Sequence, residues 1–296
     1  MQDAVLIAGL ESRHGAEVFE RAKTLLTERG VRIVEAHPVD HKKAVCKRVR
    51  QAIKSGHKLI CVAGGDGAQT SVVGYFAHTD AVLGVLPSGT GNSFAMSLGI
   101  DDFDMAIDAI VQGKVAQVDL GLADDVYFAN FATVGLTAEI GDDTPKGLKR
   151  VLGPLAYGVA SIAPIVTHKP FRSRVSWKNN KLDLETHQMI VANGRYYGHE
   201  PISEDATITD GELAFFATTG TGRMDLMRMY VALARGEQMH LPDAHTFSAK
   251  KITIKTKPRQ DVSVDGNFLC RTPITFSVAR KALNVMVPQN FPEGLR

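Results

Sequence analysis

Cysteine is scarce in this 296-residue chain: Cys46, Cys61 and Cys270 are widely spaced and odd in number, which excludes a disulfide framework and fits a reducing compartment. Their spacing also excludes a cysteine-held zinc. An excess of either charge is lacking too, since 34 Lys and Arg stand against 32 Asp and Glu for a formal net charge of +2. Nothing electrostatic therefore argues for a nucleic acid partner. The cationic segments, Lys42-Lys43, Lys47-Arg48-Val49-Arg50 and Lys146 to Arg150, read as solvated helix faces or loops. A long apolar run is missing: Val151 to Val166 is interrupted by Gly153, Pro154, Gly158 and Pro164, is short for a membrane span, and reads as a buried helix that can also border a lipid site. Met1-Gln2-Asp3-Ala4 has neither the basic start nor the apolar core of a signal peptide, so the expected location is cytoplasmic. There is no repeat, low-complexity tract or long linker, and the length suits two ordinary domains.

The first part of the chain alternates strand and helix. Val5-Leu6-Ile7-Ala8 reads as a strand; Ala16 to Glu28 carries helical spacing in Val18, Phe19, Ala22, Leu25 and Leu26 up to Gly30; Val31 to Ala36 is a strand again. A second helix runs through Val45, Val49 and Ile53 to Gly56, and another from Asp102 to Val111 stops at Gly113. This alternation predicts parallel strands with a ligand crevice at their carboxyl ends. After Gly121 the pattern turns β-rich: Val126 to Val134, Arg174 to Trp177, His187 to Ala192, Glu212 to Thr218, Lys251 to Thr256, Gln260 to Val264, Ile274 to Val278 and Leu283 to Val287. Helical insertions are expected over Lys146 to His168 and Arg223 to Gly236. The expected fold is thus α/β plus all-β: a Rossmann-like, doubly wound domain over 1–121, an antiparallel β-sandwich over 122–287, and a cleft between them.

Two glycine turns follow apolar runs in the first domain. Gly64-Gly65-Asp66-Gly67 comes after Lys58 to Ala63, and Pro87-Ser88-Gly89-Thr90-Gly91-Asn92 after Val82 to Leu86. Such turns bring unobstructed N–H groups up to an anion, and two from neighbouring strands converge at one sheet edge. Asp66 is the odd member. A carboxylate in an anion-binding loop repels phosphate unless it holds a metal or takes a proton from an acceptor hydroxyl, which points to phosphoryl transfer.

At these turns the sequence resembles the diacylglycerol kinase catalytic superfamily, which includes sphingosine and ceramide kinases and bacterial lipid kinases. The resemblance extends through Val118-Asp119-Leu120-Gly121, Phe128-Ala129-Asn130 to Gly135-Leu136, Leu152 to Tyr157, Asn193 to Gly198, Ile208 to Leu213 and Val264-Asp265-Gly266. It implies an ATP-dependent lipid kinase using Mg²⁺, with a lipid acceptor (diacylglycerol, sphingoid or ceramide-like) met at a membrane surface, and it is compatible with a homodimer. The nucleotide-binding residues it implies are His37, Gly64, Gly65, Asp66, Gly67, Ala68, Gly89, Thr90, Gly91 and Asn92. Asp66, Asp265 and Asn267 are the implied catalytic positions. Thr207, Asp210 and Glu212 are the implied structural metal site; an ordinary turn at Asp210-Gly211 is the alternative. The family's end segment often returns to the first domain, which here would be Pro288 to Arg296.

Departures fall on polar positions. Ala68 stands where the family has threonine, Ser71 and Asn267 where it has glutamate, and Ser93 where it has aspartate; the amino-terminal Asn-Pro-x-Ser-Gly pattern is reduced to Ala8-Gly9 and Ser12. A second reading is therefore a catalytically impaired lipid or nucleotide sensor on the same fold. NAD kinases share the Gly-Gly-Asp-Gly turn but not the Leu152 to Tyr157 and Asn193 to Gly198 matches.

Overall fold

The computed structural model describes residues 2–11, 15–136, 168–197, 200–201 and 206–292. Ser12, Gly198, the Leu152 to Tyr157 match and the insertion expected from Lys146 lie outside the described residues, His168 apart. The chain opens with β1 (Gln2–Gly9), α1 (Gly15–Glu28), β2 (Val31–Val39), α2 (Lys42–Lys54) and β3 (Leu59–Gly64). Short helices α3 (Asp66–Thr70) and α4 (Val73–Phe76) lead to β4 (Val82–Pro87), then α5 (Ser93–Ser97) and α6 (Phe103–Gln112). Ala4 to Ala8 of β1 and Leu59 to Ala63 of β3 are buried without a break, as strands covered on both faces must be. β2, β1, β3 and β4 are parallel neighbours in that order. Phe19, Ala22 and Leu26 give α1 one buried face, Asp102 caps α6 by accepting from Met105 N at 2.7 Å, and α2 packs with α3 and α4 while α1 packs with α6.

The second part contains β5 (Lys114–Ala123), β6 (Val126–Phe128), β7 (Phe131–Gly135), β8 (Phe171–Trp177), β9 (Asn180–Thr186) and β10 (Gln188–Ala192). It continues through β11 (Tyr196–Tyr197), β12 (Glu200–Pro201), β13 (Leu213–Thr218), α7 (Arg223–Arg235) and β14 (Ala244–Ala249). β15 (Lys251–Lys257), β16 (Asp261–Val264), β17 (Asn267–Arg271) and β18 (Ile274–Val287) complete it. An antiparallel sheet runs β14-β13-β10-β7-β16-β17. Its Met189, Val191 and Phe215 pack with Phe171, Ile254 and Phe276 of the other sheet. The alternate residues Ile190, Ala192 and Phe216 face Leu226, Met229 and Leu233 of α7, so period two puts one core on each side of the sheet.

Two expectations about strands are corrected. Val126 to Val134 is two strands, broken at Ala129-Asn130, because the amides there turn to a carboxylate instead of a ladder partner. Ile274 to Val278 and Leu283 to Val287 are one strand, β18, with a register shift between Ala279 and Leu283. Lys281 takes φ +51° there, and its amide is held by Asp119 Oδ1 at 2.6 Å. β18 pairs antiparallel with β15 through Ile274 to Ser277 and parallel with β4 through Asn284 and Val285. One strand thus belongs to both halves of a continuous sheet. Beyond it, Phe291 is buried in the first domain's core.

Gly121 on β5 lies opposite Phe128 on β6, and a Cβ there would stand 2.1 Å from the Phe128 ring. Gly121→Ala is therefore expected to destabilise the fold by ~1–3 kcal/mol, the usual cost of overpacking a core. Calorimetry checks this; an unchanged melting temperature would mean the ring moves aside freely.

Candidate active site

β3 and β4 run parallel with Gly64 opposite Pro87, so the turns that follow them leave the sheet side by side. Ser88 N donates to Gly64 O at 3.0 Å. The turns then touch backbone to backbone, since a Cβ on Gly89 would stand 2.7 Å from the Gly65 Cα. Any side chain at Gly89 would force them apart. Asn92, left-handed at φ 51°, closes the second turn: its Oδ1 accepts from Gly89 N and its Nδ2 donates to Gly89 O, both at 3.0 Å. Asp66 reaches across from the first turn, its Oδ1 accepting from Phe94 N at 3.1 Å. Gly91 leaves it room, because a Cβ there would come within 2.9 Å of Asp66 Oδ2. Buried Gln69 braces the same turn by donating to Gly64 O at 2.9 Å. Small Ala68 fits here too, as a Cβ on Gly64 would stand 2.7 Å from its own. The Asp66 and Gly67 amides head α3 and so have no intrahelical acceptor, and among the described residues nothing but Gly67's chain neighbours and its own helix backbone lies within 4 Å of where a Gly67 Cβ would be. Free amides beside open space fit an anionic group such as a phosphate.

The second domain contributes the β16–β17 hairpin. Asp265 and Gly266 form its two-residue turn with φ +45° and +74°, the left-handed pair that a tight hairpin favours. Asp265 Oδ2 accepts from Ala129 N at 2.8 Å, and Oδ1 from Asn130 N at 2.9 Å and Phe131 N at 3.2 Å. Burial pushes this carboxyl up to about 6, the three amides pull it back, and the negative charge of Asp66 adds to the upward push. Asp66 of the first domain thus lies near enough for its charge to act on Asp265 of the second. Asn267 Nδ2 donates to Asp265 O at 3.0 Å, and its Oδ1 accepts from Lys42 Nζ at 2.8 Å. Lys42, read in the sequence as part of a solvated face, instead opens α2 and ties the first domain to the hairpin. The signal that could have found it is its place just past the carboxyl end of β2, on the edge where the crevice was expected.

Not every expected residue joins this group. His37 lies within β2, the edge strand, opposite Ile7. Its ring bonds Glu35 at 2.8 Å, and Glu35 also holds His57 at 3.1 Å. Thr207, Asp210 and Glu212 do come together, but through amides: Asp210 accepts from Thr207 N and Glu212 N, each at 2.8 Å. That is the bonding of a turn. Asp119 ties this turn to β18, taking the Gly211 amide at 2.8 Å through its second oxygen. Among the described residues no three His, Cys, Asp or Glu side chains form a metal-holding group.

The Asp265 shift carries a linkage sign. Its folded value lies above the unfolded 3.8, so its contribution to stability is complete below that value and is lost as pH rises through about 6. The Asp265 carboxyl carbon should titrate near pH 6 by NMR, and Asp66→Asn should move that midpoint down. A midpoint unmoved by Asp66→Asn would separate the two carboxylates.

This geometry can be set beside known proteins. Residues 6–123 match the family model described as the diacylglycerol kinase catalytic domain, and residues 131–287 the YegS C-terminal NAD kinase beta sandwich-like domain. A diacylglycerol kinase of Staphylococcus haemolyticus is 25% identical over 283 residues, covering 93% of this chain and 86% of its own. One from Bacillus subtilis is 28% identical over 244 residues, 80% of each chain. A crystal structure of a Bacillus anthracis diacylglycerol kinase aligns at TM-score 0.71 and 19% identity over 98% of both chains, a likeness of fold. No helix among the described residues is long and apolar enough to cross a membrane. With one family model over each of its two domains and relatives aligned through both, the chain belongs to the diacylglycerol kinase family.

Proposed function

We propose that this chain is an ATP-dependent lipid kinase whose acceptor is a lipid hydroxyl met at a membrane surface on the cytoplasmic side. The observation that carries this reading is the pair of glycine turns touching backbone to backbone, with Asp66 held across them and its charge acting on Asp265 of the other domain. The names of its relatives support diacylglycerol as the first acceptor to test; sphingoid and ceramide-like lipids follow. When bound, ATP with Mg²⁺ supplies the phosphoryl group and offsets the charge of the two carboxylates. The amides of Asp66 and Gly67, with the turn that Asn92 closes, hold the phosphates. Asp66 orients or deprotonates the acceptor hydroxyl, because among the described residues only one hydrogen bond occupies its carboxylate, at Oδ1, whereas both Asp265 oxygens are engaged by backbone. Asp265 holds the hairpin against the 129–131 turn and keeps Asn267 at the cleft. His37 has no part in this mechanism, and Asp210 steadies the neighbouring turn with or without a metal.

One observation favours a second reading, a catalytically impaired sensor. The Asn267 amide is spent on its own hairpin and on Lys42, so nothing at that position can accept a proton. Activity separates the readings. With γ-labelled ATP, Mg²⁺ and a mixed lipid extract, the kinase reading expects label in a chloroform-soluble product; a folded protein that binds nucleotide without labelling any lipid would be the sensor. Asp66→Asn should keep its melting temperature and lose at least ~100-fold in turnover, the scale of a positioned acid or base. Gly89→Val should abolish nucleotide binding in calorimetric titration, since its side chain meets the Gly65 backbone; full affinity in this variant would move the nucleotide elsewhere.

A further inference from the structure

Large hydrophobic residues are exposed at eight described positions. Five of them, Val34, Tyr75, Val115, Val126 and Phe268, sit singly on five different elements, which is ordinary for a protein surface. The other three share one helix. Met224, Met227 and Val231 of α7 are 75%, 53% and 48% exposed. At 3.6 residues per turn they fall within an arc of ~60°, opposite the buried Leu226, Met229 and Leu233. The helix is therefore apolar on two sides, one facing the sheet and one facing outward.

The outward stripe is framed by cations. By the same helical spacing Arg223 lies along one side of it and Arg228 and Arg235 along the other. Arg228 is engaged by Asp225 at 3.2 Å and Asp243 at 3.3 Å, whereas Arg223 and Arg235 have no acidic partner among the described residues. Glu237 and His240 follow beyond the helix, and with Leu241 they line an open groove of about 700 Å³ that the stripe borders. An apolar strip edged by unpaired arginines complements a bilayer with anionic headgroups, whose acyl region takes the apolar side chains while the phosphates meet the guanidinium groups. α7 is also linked to the site: it touches β12, which pairs with β11, and β11 touches α5, the helix that follows the second glycine turn.

We infer that the Met224–Met227–Val231 stripe of α7, with Arg223 and Arg235, docks the protein on an anionic lipid bilayer; the purpose of that docking rests on the lipid-kinase reading, the docking itself does not. All five side chains are exposed, so substituting them leaves the core intact. In flotation with vesicles, the wild type should bind those containing phosphatidylglycerol more than those of phosphatidylcholine alone. A Met224→Ser, Met227→Ser, Val231→Ser protein should lose at least ~10-fold in partitioning onto both, as expected for removing apolar anchors. Arg223→Gln with Arg235→Gln should lose only the preference for phosphatidylglycerol, and added salt should erase the same part in the wild type. A wild type that does not float, or a triple variant that floats like it, overturns the inference. So does a wild-type dimer that the triple variant converts to a monomer by light scattering with vesicle binding unchanged, which would make a second copy the occupant. Phosphorylation of a short-chain, water-soluble diacylglycerol should be the same in the triple variant as in the wild type. Its absence from both, with vesicle binding retained, would remove diacylglycerol as the acceptor and leave the docking surface standing; absence of label in any lipid of the mixed extract would sink the kinase reading.

Discussion

β18 is hydrogen-bonded to β4 of the first domain near its end and to β15 of the second near its start, and this shared strand sets how the two halves meet. β4 leads into the second glycine turn, while β15 carries the sheet that faces the β16–β17 hairpin. A change in the register of β18 would therefore shift the turns of one domain against the hairpin of the other. The point of greatest irregularity in that strand, at Lys281, is fixed by the buried Asp119 carboxylate, which also holds the Gly211 amide. Removing this one carboxylate would leave two backbone amides without acceptors in a protein interior, where each such loss is costly.

Carboxylates in this molecule thus do two kinds of work, and geometry separates them. Asp119, Asp210 and Asp265 spend their oxygens on backbone amides and hold turns in place. Asp66 spends one oxygen on capping α5 and brings its charge close enough to raise Asp265. That charge adds to the cost burial already sets on ionising Asp265, and a cation entering with an anionic ligand would relieve it. Lys42 already supplies one positive charge on the Asn267 side.

The glycine turns were legible in the sequence because a run of buried apolar residues ending in small ones can do little else at the edge of a parallel sheet. What could not be read was why Gly89 must be glycine: its close neighbour is Gly65, a contact between segments that only the β3–β4 register creates. The family pattern marked Asp265 as a site residue, but its grip on the Ala129, Asn130 and Phe131 amides depends on pairing across more than a hundred positions. The same bonds split a stretch that alternation reads as one strand. Arg280 and Lys281 look like a loop between two strands, yet backbone pairing carries β18 through them, since a bulge costs only a local shift. The outward stripe of α7 was hidden for a related reason: Met224, Met227 and Val231 have the spacing of a core face, and only packing shows that Leu226, Met229 and Leu233 fill that role.

The central claim is that the glycine turns of one domain and the hairpin of the other form a single site, and paramagnetic broadening tests it most directly. With Mn²⁺ carried in on ATP, amide signals of Asp66, Gly67 and Gly91 should broaden together with those of Asp265, Gly266 and Asn267, and Asp210 should be affected less. Broadening confined to the first domain, with the hairpin signals unchanged, would contradict a shared site.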